Sequence, residues 1–371
     1  MRVLQVILML SVFLGLNYYV FYRLWNMLPV GFLYRLVLIL SAIVVISAPF
    51  LLFTLGDKLP YSVTSALNSI GFSWFIIFLY LLLVFLSLDL LRVLKVFPVE
   101  TILYSSWVGI ISLTVFVVLI TSAGYVRYTT KDRVELLLNL NKQTDSELPL
   151  KIVAISDLHL GYGIGGDELV KWIDYINKEN PDVVLIAGDL IDNNVHPLYE
   201  KNMAALFSRI NSKYGVYSVL GNHEYIAGVE NSIQFMKDAG ITLLRDSVAL
   251  VDDRFYIVGR DDRSNVDRKP LDELVASLDK SKPIIMLDHQ PYNLEEAEQN
   301  KIDLQISGHT HYGQVWPISL VTDLIYEKAH GYIKKGDTHI YVSSGIGIWG
   351  GKFRIGTSSE YVVVNLSGKS F

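Results

Sequence analysis

The pattern of apolar and polar positions divides the chain in two. Up to residue 124 charged positions become rare, and four apolar stretches, about 3–22, 31–55, 70–91 and 101–124, each reach the ~20 residues a helix needs to cross a bilayer core. The charges and turn formers lie between them, in Arg23–Pro29, Gly56–Pro60 and Arg92–Glu100. After Tyr125 short β-branched runs alternate with amphipathic segments. Asp167–Lys178 puts Leu169, Trp172, Ile173 and Ile176 on one helical face, and Leu271–Leu278 follows a proline suited to a first helical turn. Strands are predicted at Arg133–Leu140, Lys151–Ile155, Arg254–Val258, His339–Ser343 and Tyr361–Leu366. Strands dominating with helices outside predict an α/β domain of two packed β-sheets flanked by helices over 125–371, preceded by an all-α, four-span transmembrane region over 1–124.

Charge follows the same division. Residues 1–124 hold six basic and three acidic side chains, net +3, and the rest hold 26 and 34, net −8, within a total of −5. An acidic domain lacks the basic surface that non-specific nucleic-acid binding requires, so no nucleic-acid partner is expected. Positive charges nearly balance across the four spans. An inside amino terminus puts Arg2, Lys58, Arg127, Lys131 and Arg133 in the cytoplasm against Arg23, Arg35, Arg92 and Lys95 outside. The expected location is a cell membrane, multi-pass, with the large domain on the side of Met1 and that side left open. Asp89 and Arg92, three apart near a span end, are expected to pair with each other at the interface.

Cysteine is absent, which excludes disulfides and thiolate metal sites. A bound metal would be held by imidazole, carboxylate and carbonyl groups, which suit manganese, iron or zinc. Such groups recur where apolar runs end. Ile152–Ile155 leads to Asp157 and His159, Val183–Ala187 to Gly188-Asp189, and Val216–Leu220 to Gly221-Asn222-His223-Glu224. Ile284–Leu287 leads to His289, and Leu304–Ile306 to Gly308-His309-Thr310-His311. The carboxyl ends of strands are where an α/β sheet builds its active site. Taken singly, a buried histidine is more often a hydrogen-bonded core residue than a ligand; the ordered set points to metal. Glycines 188, 221 and 308 are expected to allow tight turns that bring backbone close to it.

The ordered series Asp157-x-His159, Gly188-Asp189, Gly221-Asn222-His223-Glu224, His289 and Gly308-His309-x-His311 resembles the calcineurin-like metallophosphoesterase superfamily over about residues 130–371. Ser307–Val315 and the tail Tyr341–Gly347 resemble its membrane-associated bacterial branch, with Tyr312 standing where that branch more often has glycine. The resemblance implies one metal on Asp157, His159 and His311, a second on Asn222, His289 and His309, and Asp189 as the bridge. These chemistries agree with such roles: a carboxylate can span two cations ~3.5–4 Å apart. Two divalent ions are expected, manganese first, with iron or zinc also compatible. His223 is the implied proton donor to the leaving alkoxide while a hydroxide held between the ions attacks phosphorus in line.

Asp192 and Glu224 read either as partners that orient ligands or as solvated loop acids. His339 reads as structural. His330 lies in a segment the resemblance places near the site and is a candidate substrate contact. Arg354 is a second candidate, through its planar fork, against a plain surface role. Trp316-Pro317 and Trp349-Gly350-Gly351 offer apolar surface for lipid or a substrate group, against ordinary core packing.

The function expected is a membrane-anchored phosphoesterase cleaving a phosphomonoester, phosphodiester or pyrophosphate. Its partners would be the lipid bilayer and a phosphorylated small-molecule or lipid-linked substrate, the latter because an anchor raises the local concentration of membrane substrates. The alternative is a non-catalytic membrane sensor of a phosphorylated ligand, which would be expected to lose ligands or the proton donor. A transporter would want ionisable residues within its spans, and these are nearly absent, with Asp89 inside the third stretch and Arg35 near the start of the second.

Overall fold

The computed structural model of the protein describes residues 2–96, 98–143 and 150–369. The chain forms two compact units, Met1–Val126 with Gly350–Phe353, and Arg127–Trp349 with Arg354–Phe371.

Helices α1 (Arg2–Met27), α2 (Phe32–Leu55), α3 (Tyr61–Val93) and α4 (Trp107–Thr129) dominate the first unit, and all four are long and apolar enough to cross a membrane. α3 starts nine residues before the expected 70–91 stretch; its 33 residues span about 50 Å against a bilayer core of about 30 Å. The stretch 101–124 is interrupted. Ser105 adopts a left-handed backbone (φ 44°), and Ser106 Oγ accepts the Gly109 N–H at 3.1 Å, so a new helix begins at Trp107 and runs to Thr129.

Val20, Met27, Trp74, Leu81 and Phe85 form the bundle interior, while Met9, Phe32, Val44 and Leu119 are exposed. Such an apolar exterior suits lipid rather than water. The expected Asp89–Arg92 pair does not form. Asp89 accepts from Tyr19 Oη at 2.6 Å and pairs with Arg23 of α1, while Arg92 Nε reaches Glu100 at 2.9 Å. Asp89 faces the neighbouring helix, where a half-buried guanidinium and a phenol satisfy it together.

The second unit contains two six-stranded sheets. The first runs β1 (Lys131–Gln143), β12 (Ser359–Lys369), β2 (Leu150–Ile155), β3 (Val183–Ile186), β4 (Val216–Ser218), β5 (Thr242–Leu243). The second runs β10 (Gly331–Lys335), β11 (Thr338–Val342), β9 (Leu304–Ser307), β8 (Ile284–Leu287), β7 (Phe255–Gly259), β6 (Ser247–Val251). Both are mixed: β2, β3, β4 and β5 are parallel, as are β7, β8, β9 and β11, with antiparallel pairings at β12–β2, β6–β7 and β10–β11.

The two-residue period of the strands builds the layers. Ile152, Ala154, Val183 and Leu185 from one sheet meet Ile257, Ile285, Leu287, Leu304 and Ile306 from the other in one buried core. Val153, Ile155, Val184 and Ile186 face outward onto helices α5 (Gly166–Lys178) and α7 (Val229–Asp238), through Leu169, Trp172, Ile173, Ile176, Phe235 and Met236. Beyond the second sheet, Val258, Ile284 and Met286 pack on Leu271 and Val275 of a helix that ends at Val275, three residues short of expectation. The result is the two-sheet, helix-flanked sandwich expected. Every parallel strand that precedes a histidine or acid motif ends at one edge of it.

Candidate metal centre

Three loops leave the first sheet at that edge, after β2, β3 and β4, and two leave the second, after β8 and β9. Asp157 and His159 follow β2, Asp189 follows β3, and Asn222 and His223 open the short helix α6 (Asn222–Ala227) after β4. His289 follows β8, and His309 and His311 follow β9. All five loops converge. Asp157, His159 and His311 form one cluster, and Asp189, His289 and His309 form another, with ligand-type atoms of each within 4.8 Å of one another. Asn222 Oδ1 lies 3.3 Å from His289 Nε2, beside the second cluster.

Asp189 stands between them. Its Oδ2 is 3.1 Å from His289 Nε2 and 3.7 Å from His159 Nε2, while Oδ1 accepts the His223 N–H at 2.9 Å. One carboxylate oxygen therefore faces both clusters and the other is held by backbone, a narrower arrangement than one oxygen per cation. His159 Nε2 and His311 Nε2 approach to 3.0 Å, and His311 Nε2 lies 3.6 Å from Asp157 Oδ1.

The backbone bends hard to achieve this. Asp157, His159, Asp189, His309 and His311 all have φ between 47° and 71°, a region that costs a non-glycine residue roughly 1–2 kcal/mol. Cross-loop hydrogen bonds hold them there: Asp157 N–H donates to Gly188 O, His159 N–H to Asp189 O, Gly308 N–H to His289 O, and His309 N–H to Asp157 Oδ1. Gly188 itself sits at φ 84°, as a tight turn demands. Gly308 has another reason: a Cβ there would lie 2.3 Å from Asp157 Oδ2.

The electrostatics fit cations. Asp157 Oδ2 and His311 Nδ1 are buried without a hydrogen-bond partner, so polar capacity remains at the first cluster. Burial, with His159 nearby, pushes His311 well below the usual imidazole range, and burial beside His289 lowers His309 to about 4. Both are neutral, the form that binds metal. Burial raises the Asp157 carboxyl, whereas for Asp189 the burial effect is overcome by His289 and His159, which hold it below its ordinary value. The buried acids, neutral imidazoles and Asn222 oxygen form a donor set of the kind divalent cations need.

The supporting residues are equally placed. Glu224 is buried, not solvated; it accepts from the N–H groups of Gly221 (2.6 Å), Ile191 (2.9 Å) and Asp189 (3.1 Å), tying the β3 and β4 loops together. Burial and the nearby Asp189 raise its pKa to about 7. Asp192 Oδ1 lies 3.5 Å from both His159 Nδ1 and His223 Nδ1, and its carbonyl is 2.9 Å from His223 Nδ1. Burial depresses the His223 imidazole, but Asp192 and Asp189 outweigh it and raise the pKa to about 9.

One expectation changes. Arg354 is neither at the surface nor directed at a substrate: it is 1% exposed, and its guanidinium donates to the carbonyls of His311 (2.5 Å), Ser344 (2.5 Å) and Gly347 (3.2 Å) and to Ser359 Oγ (3.1 Å). It braces the His311 loop. No local sequence signal marks this, because all four partners lie on other turns. His330 is 3.1 Å from the buried Glu360 carboxylate and stacks on Tyr312 at 5.1 Å, so it borders the His311 loop rather than either cluster. Tyr312 itself has φ 48°, a left-handed backbone that glycine adopts without strain.

A calcineurin-like phosphoesterase family model matches residues 150–313. The chain is 36% identical over 242 residues to an uncharacterized metallophosphoesterase of Campylobacter jejuni, covering 62% of this chain and 63% of that one. It is 32% identical over 232 residues to one of Aquifex aeolicus, covering 59% and 86%. A Danio rerio protein named as a transmembrane protein with metallophosphoesterase domain is 32% identical over 243 residues, covering 61% and 55%. The match spans about 60% of the length of the Campylobacter and Helicobacter pylori relatives.

Proposed function

We propose, for a chain that belongs to the calcineurin-like metallophosphoesterase family, that it is a membrane-anchored hydrolase of phosphoric esters dependent on two divalent ions. Residues 1–124 would be the anchor and 125–371 the catalytic domain. One ion would be held by Asp157, His159 and His311, the other by Asn222, His289 and His309, with Asp189 Oδ2 shared. Manganese is the first choice, with iron or zinc compatible with the same donors. When bound, the ions would supply Lewis acidity at phosphoryl oxygens and lower the pKa of the attacking water.

The chain's own residues do the rest. With Nδ1 donating to the Asp192 carbonyl and the Asp192 carboxylate favouring the charged imidazole, His223 offers Nε2–H to the leaving alkoxide. Asp192 also orients His159, and Glu224 fixes the loops that carry Asp189 and Asn222. His330, 26% exposed at its side chain, is the remaining candidate to touch substrate. The substrate would be a phosphomonoester, phosphodiester or pyrophosphate, with a lipid-linked one favoured by the four apolar helices.

The observation that carries this reading is Asp189 Oδ2 within 3.1 and 3.7 Å of imidazoles from two different clusters. Purified full chain with Mn²⁺ is expected to hydrolyse bis-p-nitrophenyl phosphate, and Asp189→Ala to lose at least ~10³-fold, about 4 kcal/mol of transition-state stabilisation. Equal activity in the variant, or no wild-type activity across several divalent ions, overturns the reading.

A further inference from the structure

Helix α8 (Ile318–Ile325) is built inside out. Its packed positions are polar: Ser319 is 5% exposed and Thr322 is half-buried, bonded back to the Ser319 carbonyl at 2.8 Å. Its outer positions are apolar: Ile318, Leu320, Val321 and Ile325 are all exposed, and Leu324 is 87% exposed. The contrast with α5 is direct, since there Leu169, Trp172, Ile173 and Ile176 point inward. A water-facing helix would reverse the order, and a continuous apolar face of this kind marks a contact surface.

The surroundings indicate what covers it. Trp316, also exposed, precedes the helix, and Lys328, Lys334 and Lys335 follow it alongside the acids Asp323, Glu327 and Asp337, with Lys335 paired to Glu327. An apolar face edged by an aromatic residue and by charged side chains of both signs is the composition of a helix lying in the headgroup region of a bilayer. The same chain carries four helices able to cross a membrane, so a bilayer is the surface its second unit would meet.

The helix is also joined to the metal centre. Tyr312, next to His311, reaches Asp323 of α8 through its hydroxyl at 3.3 Å. Gly313 (φ 65°) packs so closely on the first turn that a Cβ would lie 2.5 Å from Ser319 N. Thr310 Oγ1, between His309 and His311, donates to the Ala329 carbonyl just beyond α8 at 2.6 Å.

We propose that α8 is an interfacial helix whose exposed apolar face inserts into a bilayer surface, holding the His309–His311 loop at headgroup level. The proposal rests on the membrane reading of α1–α4 but not on hydrolysis. The absence of cysteine allows a direct test: Leu324→Cys in the full chain, labelled with a polarity-sensitive fluorophore and placed in nanodiscs of phosphatidylcholine and phosphatidylglycerol. Val266→Cys, 93% exposed in the same unit, is the reference. The probe at 324 is expected to shift to the blue and be quenched at least twofold by doxyl-labelled lipid, while the probe at 266 is quenched by iodide alone. A probe at 324 that is open to iodide and blind to doxyl lipid overturns the proposal. So does one shielded from both quenchers, which would mean protein, such as a second copy, covers the face. A full chain that fails to enter nanodiscs contradicts the membrane reading and this proposal with it, whatever its activity.

Discussion

The core between the two sheets and the loops a few residues beyond it are both buried, yet they obey opposite rules. Ile285 and Leu287 lie in an apolar layer where every contact is dispersion and excluded water. His289, two residues after Leu287, enters a pocket that also buries Asp157 and Asp189, with five residues in left-handed backbone. The core lowers the free energy of the fold; the pocket raises it, and the cross-loop hydrogen bonds hold the pocket in place, where bound cations would offset its charge. That division explains why the candidate ligands sit just past strand ends: a rigid layer is needed to hold an unfavourable one.

The sharpest way to break this comparison is to alter each region alone. Ile285→Ala should cost about 3 kcal/mol of stability, by lost transfer energy and the cavity left behind, while metal content per folded molecule stays at that of the wild type. Chemical denaturation and metal analysis of the same sample check both halves. A smaller effect of opposite sign is expected in the pocket. Burial raises the Asp157 pKa, so its ionised form is disfavoured by folding, and the metal-free protein loses stability as pH rises through the usual carboxylate range toward the raised value. Asp157→Asn removes that loss. In chelator above that range, the variant should melt about 2–4 °C higher, the shift that 1 kcal/mol gives a domain of this size, and should gain less from added ions. A lower melting temperature would show that the pocket is stabilising by itself.

Much of this architecture was legible locally. Strand runs ending in Asp157, Asp189, Asn222, His289 and His309 announce themselves by composition, and the buried face of α5 by its period. What escaped depends on partners distant in sequence. Arg354 looks like a surface cation until the carbonyls of His311, Ser344 and Gly347 surround it. Asp89 has a near neighbour of opposite charge at Arg92 but turns to Arg23, 66 residues away. The segment Ile318–Ile325 mixes apolar and polar positions, and only its packing reveals that Ser319 and Thr322 face inward. Period gives a helix its two faces; tertiary structure decides which one is buried.

The central claim is that two cations share Asp189. The most direct measurement is the metal content of purified full chain after equilibration with Mn²⁺ and removal of free ion. The account predicts two ions per chain in the wild type and fewer than one in Asp189→Ala, because the shared oxygen serves both positions. A wild type that binds none, or a variant that retains two, would contradict it.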